Sequence, residues 1–270
     1  MSHDFLPKGW GIHPVLFRIG NFSVPSYDTM IILGILVGLF VYILLSGQEK
    51  GCEDRSLYLL VAALVGGAIG AKIPTLMLHW AEIAHAHSLM AFLSGRTILG
   101  GLIGGTLAVI LTRKKLGMSQ KLGNYFAPAL AIGIALGRIG CFLRGCCYGK
   151  PTHLPWGVNF GDGILRQPTQ IYESIFCFVL FLYLLFAMRR DPPPGALFRQ
   201  FMLSYFTFRF CIEFVRNDSP SILGLTLAQW VCTAVIAYYL LIDRNYEKLD
   251  KNPDGNIDKK PVMVDYRRET

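Results

Sequence analysis

Apolar residues in this chain are massed rather than alternated. Seven runs, about Tyr27–Leu45, Leu57–Leu78, Thr97–Leu111, Asn124–Ile139, Ile171–Met188, Ala196–Val215 and Gly224–Ile242, are separated by polar stretches. Several approach the ~20 apolar residues that a helix needs to cross a bilayer. In hydrocarbon every backbone N–H and C=O must be satisfied inside the segment, so each run is predicted as a helix. The expected fold is all-α, a polytopic membrane protein with seven transmembrane helices and an outward-facing polar loop region. Residues 1–242 then form a single membrane domain. Its first 26 residues are an outer-surface segment, with a short amphipathic or extended piece around Leu16–Gly20. His79–Arg96 is expected as a loop of solvated histidines, and Cys141–Gln170 as a long, Gly/Pro-rich, non-spanning stretch. The polar tail 243–270 is expected to be cytoplasmic and disordered.

Composition agrees, with 53% hydrophobic and only 16% charged residues, where a soluble domain carries about 25% charged. The formal net charge of +8 does not point to nucleic acid, because its distribution follows the membrane. Of 26 Lys and Arg, sixteen lie in the 46–56, 113–121 and 189–199 loops and the tail. Seven lie on the other side, and Lys72, Arg138 and Arg209 fall in or at spans. Positive charge stays inside, so the C-terminus is expected in the cytoplasm, and the N-terminus and the 141–170 stretch outside.

Against this background a few polar residues are conspicuous. Gly137–Pro151, GRIGCFLRGCCYGKP, follows directly on an apolar run. Its glycines predict a helix that loosens, and loosened backbone at membrane depth is tolerated only where it lines a wet cavity or is buried in protein. Arg138 at that boundary is costly unless paired or functional. Arg209 and Glu213 share one helical face at i, i+4, with Arg216 three residues on. Arginine's fork of donors suits a phosphate-bearing headgroup, while a structural ion pair explains the same spacing equally well. Thr169 is placed to cap the fifth span, with Tyr172 and Glu173 in its first turn. Cys141, Cys146 and Cys147 form a possible disulfide or thiol site. With no CxxC and only His153 nearby, no metal site is expected.

These residues resemble the prolipoprotein diacylglyceryl transferase family over about Pro14–Ile242. The likeness is carried by Gly137-Arg138-Ile139-Gly140 with Phe142, Gly145 and Gly149, and by the Gly100-Gly101-Leu102-Ile103-Gly104 block. Pro168, Gln170, Tyr172 and Glu173 add to it, as do Arg209, Glu213 and Arg216, Gln229 and Tyr27. The resemblance implies a bacterial inner-membrane enzyme without cofactor. It would move the diacylglyceryl group of phosphatidylglycerol onto the thiol of a lipobox cysteine in prolipoprotein signal peptides, releasing glycerol phosphate. By the same resemblance Arg138, Arg209 and Glu213 would be catalytic. Arg138, Tyr27, Gly100, Gly101, Gly145, Gly149, Gln170, Tyr172, Glu173 and Arg216 would bind the phospholipid.

The chain also departs from the pattern. Leu99 stands where the family has a histidine, Cys141 for an asparagine, Arg144-Gly145-Cys146 for Asn-Gly-Glu, Asn124 for an aspartate and Lys72 for an arginine. Glu213, Glu173 and a Cys146 or Cys147 thiolate remain open as the base. Two further readings stand beside the transferase: a paralogue with another acceptor, and a non-enzymatic phospholipid-binding or transport protein on the same scaffold.

Overall fold

The structure, a computed structural model, describes residues 12–20, 22–47, 53–86, 97–117, 122–217 and 223–250. Among these residues seven helices carry nearly all the regular structure: α1 Ser26–Ser46, α2 Glu53–Ala86, α3 Ile98–Leu116, α4 Leu122–Arg144, α5 Thr169–Met188, α6 Ala196–Ile212 and α7 Leu227–Asp250. Four contain stretches long and apolar enough to cross a membrane: Ser26–Ser46, Leu57–Pro74, Gly123–Arg144 and Thr169–Met188, while Leu227–Leu241 is a shorter apolar helix. The molecule is therefore mostly helical and has the character of a membrane protein. α3 ends in Arg113-Lys114-Lys115, and the 17-residue α6 carries Arg199 and Arg209, which dilutes the apolar content of both.

Helix ends differ from those expected. α2 runs on through His79 and His85 to Ala86, so this part of the presumed histidine loop is helix; His87–Arg96 lie outside the described residues. α4 does not loosen at Gly137 but continues unbroken to Arg144. There the chain leaves through Gly145 at φ +77°. α7 begins at Leu227 and extends to Asp250, so the first eight tail residues are helical, and residues 251–270 lie outside the described residues. In each case the apolar run ends before the backbone hydrogen-bond ladder does.

Two small antiparallel pairs sit beside the helices. β1 (Val15–Ile19) pairs with β2 (Phe22–Pro25), which gives the predicted surface segment the form of a hairpin. The hairpin is tied to the end of α4 by the N–H of His13 donating to the Leu143 carbonyl at 3.0 Å. β3 (Val158–Asn159) pairs with β4 (Leu165–Arg166) inside the 145–168 stretch.

Packing follows what a membrane allows. α1 shows Ile32, Leu33, Ile35, Leu36, Phe40, Ile43 and Leu44 on its outside and buries Ser26, Gly34, Gly38 and Tyr42 against the bundle. With lipid as apolar as leucine, helices gain by close approach of small residues. α2 and α3 do so at Gly70 and Gly104, where a Cβ on Gly104 would sit 2.7 Å from the Gly70 Cα. The main core lies between α3, α4, α5, α6 and α7 around Ala131, Ala135, Cys177, Leu184, Phe201, Met202, Tyr205 and Phe206. At the other end of α4, Asn124 clamps the α5–α6 turn. Its Nδ2 donates to the Pro192 and Pro193 carbonyls at 3.2 and 3.1 Å, and its Oδ1 accepts the N–H of Leu197 at 3.1 Å.

Candidate functional site

α4, α5 and α6 place their charged residues at one locus inside the bundle. Arg138 on α4 is 5% exposed and Glu173 on α5 is 2% exposed. Arg138 Nη2 lies 2.7 Å from Glu173 Oε2. The other carboxylate oxygen of Glu173 accepts the hydroxyl of Tyr205 from α6, also at 2.7 Å. Tyr205 is one turn before Arg209 on the same face of α6, and Glu173 lies within reach of the Arg209 charge as well as that of Arg138.

A second carboxylate serves the other arginines. Arg209 Nη1 is 2.7 Å and Arg216 Nε 3.4 Å from Glu213 Oε2. Glu213 Oε1 accepts the Thr226 hydroxyl at 3.2 Å. That hydroxyl also accepts the N–H of Gln229, while Gln229 Oε1 accepts the N–H of Thr226, at 3.3 and 2.9 Å. This reciprocal pair is a capping box that starts α7 and anchors it to Glu213.

The cluster is unbalanced. Three arginines face two carboxylates, leaving one positive charge in excess. Among the described residues the buried donor Arg138 Nε and the buried acceptor Gln170 Oε1 have no hydrogen-bond partner, while the buried Arg209 Nη1 and Glu213 Oε2 meet as an ion pair. An orphaned buried group costs about 1–3 kcal/mol; an anion's oxygen suits Arg138 Nε, and a hydroxyl beside it would suit Gln170 Oε1.

The loop after α4 closes over this locus. Gln170 Nε2 donates to the Cys146 carbonyl at 2.6 Å, and Thr169 Oγ1 to the Cys147 carbonyl at 2.9 Å. Thr169 is therefore not the cap; Pro168 holds the N-cap position, and Glu173 falls beyond the first turn. Its reason for being there is Arg138, not the helix dipole. Gly149 joins three segments: its N–H donates to the Gln167 carbonyl at 2.8 Å, and it bridges to Arg216. A Cβ there would lie 2.8 Å from both Thr169 Cγ2 and the Val215 carbonyl oxygen, so only glycine fits. Within the loop Tyr148 stacks on Phe160, which Phe142 meets edge-on, and the Arg166 guanidinium lies 4.9 Å from the Tyr148 ring centre. Arg166 also bonds Asp162, which holds that exposed carboxyl below its usual range.

Cys141, Cys146 and Cys147 are free thiols. Arg138 Nη1 points at Cys141 Sγ at 4.0 Å, and the Cys146 thiol donates to the Cys141 carbonyl at 3.6 Å. Among the described residues no group of three or more His, Cys, Asp or Glu is placed to hold a metal ion.

The remaining candidates are more scattered. Tyr27, in the first turn of α1, carries the Arg144 guanidinium 5.0 Å from its ring centre. Its backbone packs against Gly140. Tyr172 accepts a hydrogen bond from Trp156 Nε1 at 2.7 Å on the loop side. Gly145 packs against Ile12 and Phe160, and Gly100 and Gly101 lie in the α2–α3 contact against Gly70 and Gly67. Leu99 packs against the apolar core. Sequence reasoning missed Tyr205 and Thr226. The first lies four residues before Arg209, and the second opens the Thr-x-x-Gln spacing of a capping box; both signals were there to be read.

Comparison with known proteins puts these residues in a family. The sequence profile of prolipoprotein diacylglyceryl transferase matches residues 14–242. The chain is 34% identical over 243 residues to a phosphatidylglycerol–prolipoprotein diacylglyceryl transferase of Clostridium tetani, covering 86% of this chain and 98% of that one. It is 34% identical over 224 residues to the enzyme of the same name from Geobacter sulfurreducens, covering 79% and 85%. A second form from Clostridium perfringens is 33% identical over 220 residues, covering 78% and 86%. This chain belongs to the prolipoprotein diacylglyceryl transferase family of bacterial membrane transferases.

Proposed function

We propose that this protein transfers the diacylglyceryl group of phosphatidylglycerol to the thiol of a lipobox cysteine in prolipoproteins. A C–S bond forms at the glycerol carbon bearing the phosphate ester, the C–O bond breaks, and glycerol phosphate leaves. The observation that carries this reading is the excess of one positive charge in a largely buried cluster, with Arg138 Nε lacking a hydrogen-bond partner among the described residues. A phosphodiester supplies the missing charge and acceptor oxygens. Arg138 and Arg209 bind the phosphate and stabilise the charge that builds up on the leaving group. Glu173 and Glu213 hold the arginine forks in place, and Gly149 and Gln170 fix the loop over the headgroup. Tyr27, Tyr172 and Arg216 flank the lipid at the outer face, while Gly100 and Gly101 let α3 approach α2 closely.

In this reading all seven helices cross the membrane as one domain. The positive charge of the 46–56, 113–121 and 189–199 loops keeps them and the C-terminus cytoplasmic, with the N-terminus and the 145–168 loop outside. Signal peptides reach the site from the bilayer.

Complementation tests the reading: a bacterium depleted of its own lipoprotein transferase should regain growth and lipidated lipoprotein when it expresses this chain. Membrane-inserted protein that leaves prolipoproteins unmodified would sink it.

A further inference from the structure

Gln170 is almost wholly enclosed, at 1% exposure, yet its amide is used on one side only. Nε2 donates to the Cys146 carbonyl at 2.6 Å. That contact fixes the sense of the amide, because the reversed orientation would press oxygen against oxygen. Oε1 is thereby turned away from the loop carbonyl, and it has no hydrogen-bond partner among the described residues. Buried side-chain acceptors are nearly always satisfied. Gln170 precedes Glu173 by one turn on the same face of α5, and residues so spaced have Cβ atoms about 5–6 Å apart. Glu173 in turn holds Arg138, whose Nε also lacks a partner among the described residues. An unfilled acceptor thus stands one helical turn from the residue that holds an unfilled cationic donor.

We propose that Gln170 Oε1 accepts a hydroxyl of the lipid's glycerol headgroup and so selects phosphatidylglycerol among phospholipids. The inference rests on the transferase reading above and names the group that reads the donor's headgroup. Phospholipids share the phosphate, so the arginines by themselves do not tell one headgroup from another. Oε1 takes only a hydrogen-bond donor. The glycerol headgroup carries its first hydroxyl on the carbon next to the phosphate-ester carbon. One molecule can therefore set a phosphate oxygen on Arg138 Nε and a hydroxyl on Gln170 Oε1.

Other headgroups fail for separate reasons. Choline has no donor and would leave Oε1 orphaned. Ethanolamine has donors, but its ammonium enters a cluster where three arginines already outnumber two carboxylates. Unpaired charges and stranded polar groups are the means by which a site rejects the wrong ligand. A site built to bond a substrate hydroxyl is especially severe on an analogue that lacks it. The two arms of the amide then have two tasks: Nε2 holds the loop, and Oε1 reads what the loop encloses.

The test measures retention of phosphatidylglycerol, phosphatidylpropanol and phosphatidylethanolamine, with identical acyl chains, by native mass spectrometry of wild type and Gln170→Met. Phosphatidylpropanol keeps the negative charge and the three headgroup carbons but lacks both hydroxyls. The cost of a stranded buried group corresponds to about five- to 150-fold in affinity. Wild type should therefore prefer phosphatidylglycerol to phosphatidylpropanol by that factor, and should hold phosphatidylethanolamine more weakly than phosphatidylglycerol. Methionine has the length of glutamine without its acceptor, so Gln170→Met should bind the two anionic lipids within two-fold of each other. Equal retention of those two lipids by wild type would overturn the proposal even if the variant fails to fold. An undiminished preference in folded Gln170→Met would overturn it too. Transfer to a lipobox peptide is scored separately, so either result leaves the transferase reading intact. A wild type that shows the preference but lipidates no peptide would overturn the transferase reading and support Gln170 as the reader of the headgroup.

Discussion

Replacing Arg138 by alanine removes two things at once, and the structure shows how to separate them. The guanidinium neutralises Glu173 at 2.7 Å in a site where the carboxylate is 2% exposed. Stripping one partner from such a pair costs about 3–5 kcal/mol, because it leaves a buried charge uncompensated. That loss says nothing about lipid. In the double variant Arg138→Ala/Glu173→Gln the charge is gone as well, and the glutamine oxygen still accepts the Tyr205 hydroxyl. Most of the stability should return. Phosphate binding should not: a charge-assisted hydrogen bond contributes roughly 1.5–3 kcal/mol, and ~1.4 kcal/mol is ten-fold in affinity. The double variant should therefore bind phosphatidylglycerol about ten- to 150-fold more weakly than wild type, with zwitterionic lipid changed far less. Thermal unfolding in detergent reads the first quantity, and native mass spectrometry with the two lipids reads the second. A double variant that recovers stability and still prefers phosphatidylglycerol within two-fold of wild type would refute the reasoning, and Arg138 would be a structural cation.

Other consequences can be measured separately. Asn124→Asp keeps the acceptor for Leu197 but loses the donor to two proline carbonyls. At ~1 kcal/mol per bond it should cost about 2 kcal/mol in thermal unfolding; an unchanged midpoint would show that the clamp contributes nothing. A single cysteine near Asn159, on the exposed side of the β3–β4 pair, should react with a membrane-impermeant maleimide in intact spheroplasts. Labelling that appears only after permeabilisation would invert the proposed topology.

The helices were legible because a long apolar run suits a helix, which satisfies its own backbone, and each of the seven runs contains a helix. Their ends were not legible. Hydropathy marks where side chains suit lipid, whereas α4 ends where its hydrogen bonding ends, at Arg144, and α2 and α7 are helical as far as Ala86 and Asp250, the last described residues of their segments. Within the site, Arg209 with Glu213 could be read from helical spacing. Arg138 with Glu173 could not: the residues are 35 positions apart on different helices, and nothing local joins them. The first turn of α5 was misread for a related reason. A threonine before an apolar helix looks like a cap, but here its hydroxyl serves the Cys147 carbonyl. The departures at Leu99 and Cys141 were visible as letters only; their meaning depended on knowing that Leu99 faces apolar core.

The crossing of α2 and α3 is built almost without side chains, backbone against backbone at Gly70 and Gly104. A soluble helix pair draws its strength from water released on contact, and that strength fades on cooling. Lipid offers no such gain, so this pair is held by dispersion and dipole contacts that are not weakened by cold. The same economy leaves it no tolerance for drift. Even alanine at Gly104 forces the backbones apart, and no neighbouring rotamer can absorb the change. These two helices behave as one thick strut, fixed in register, against which the rest of the bundle can vary.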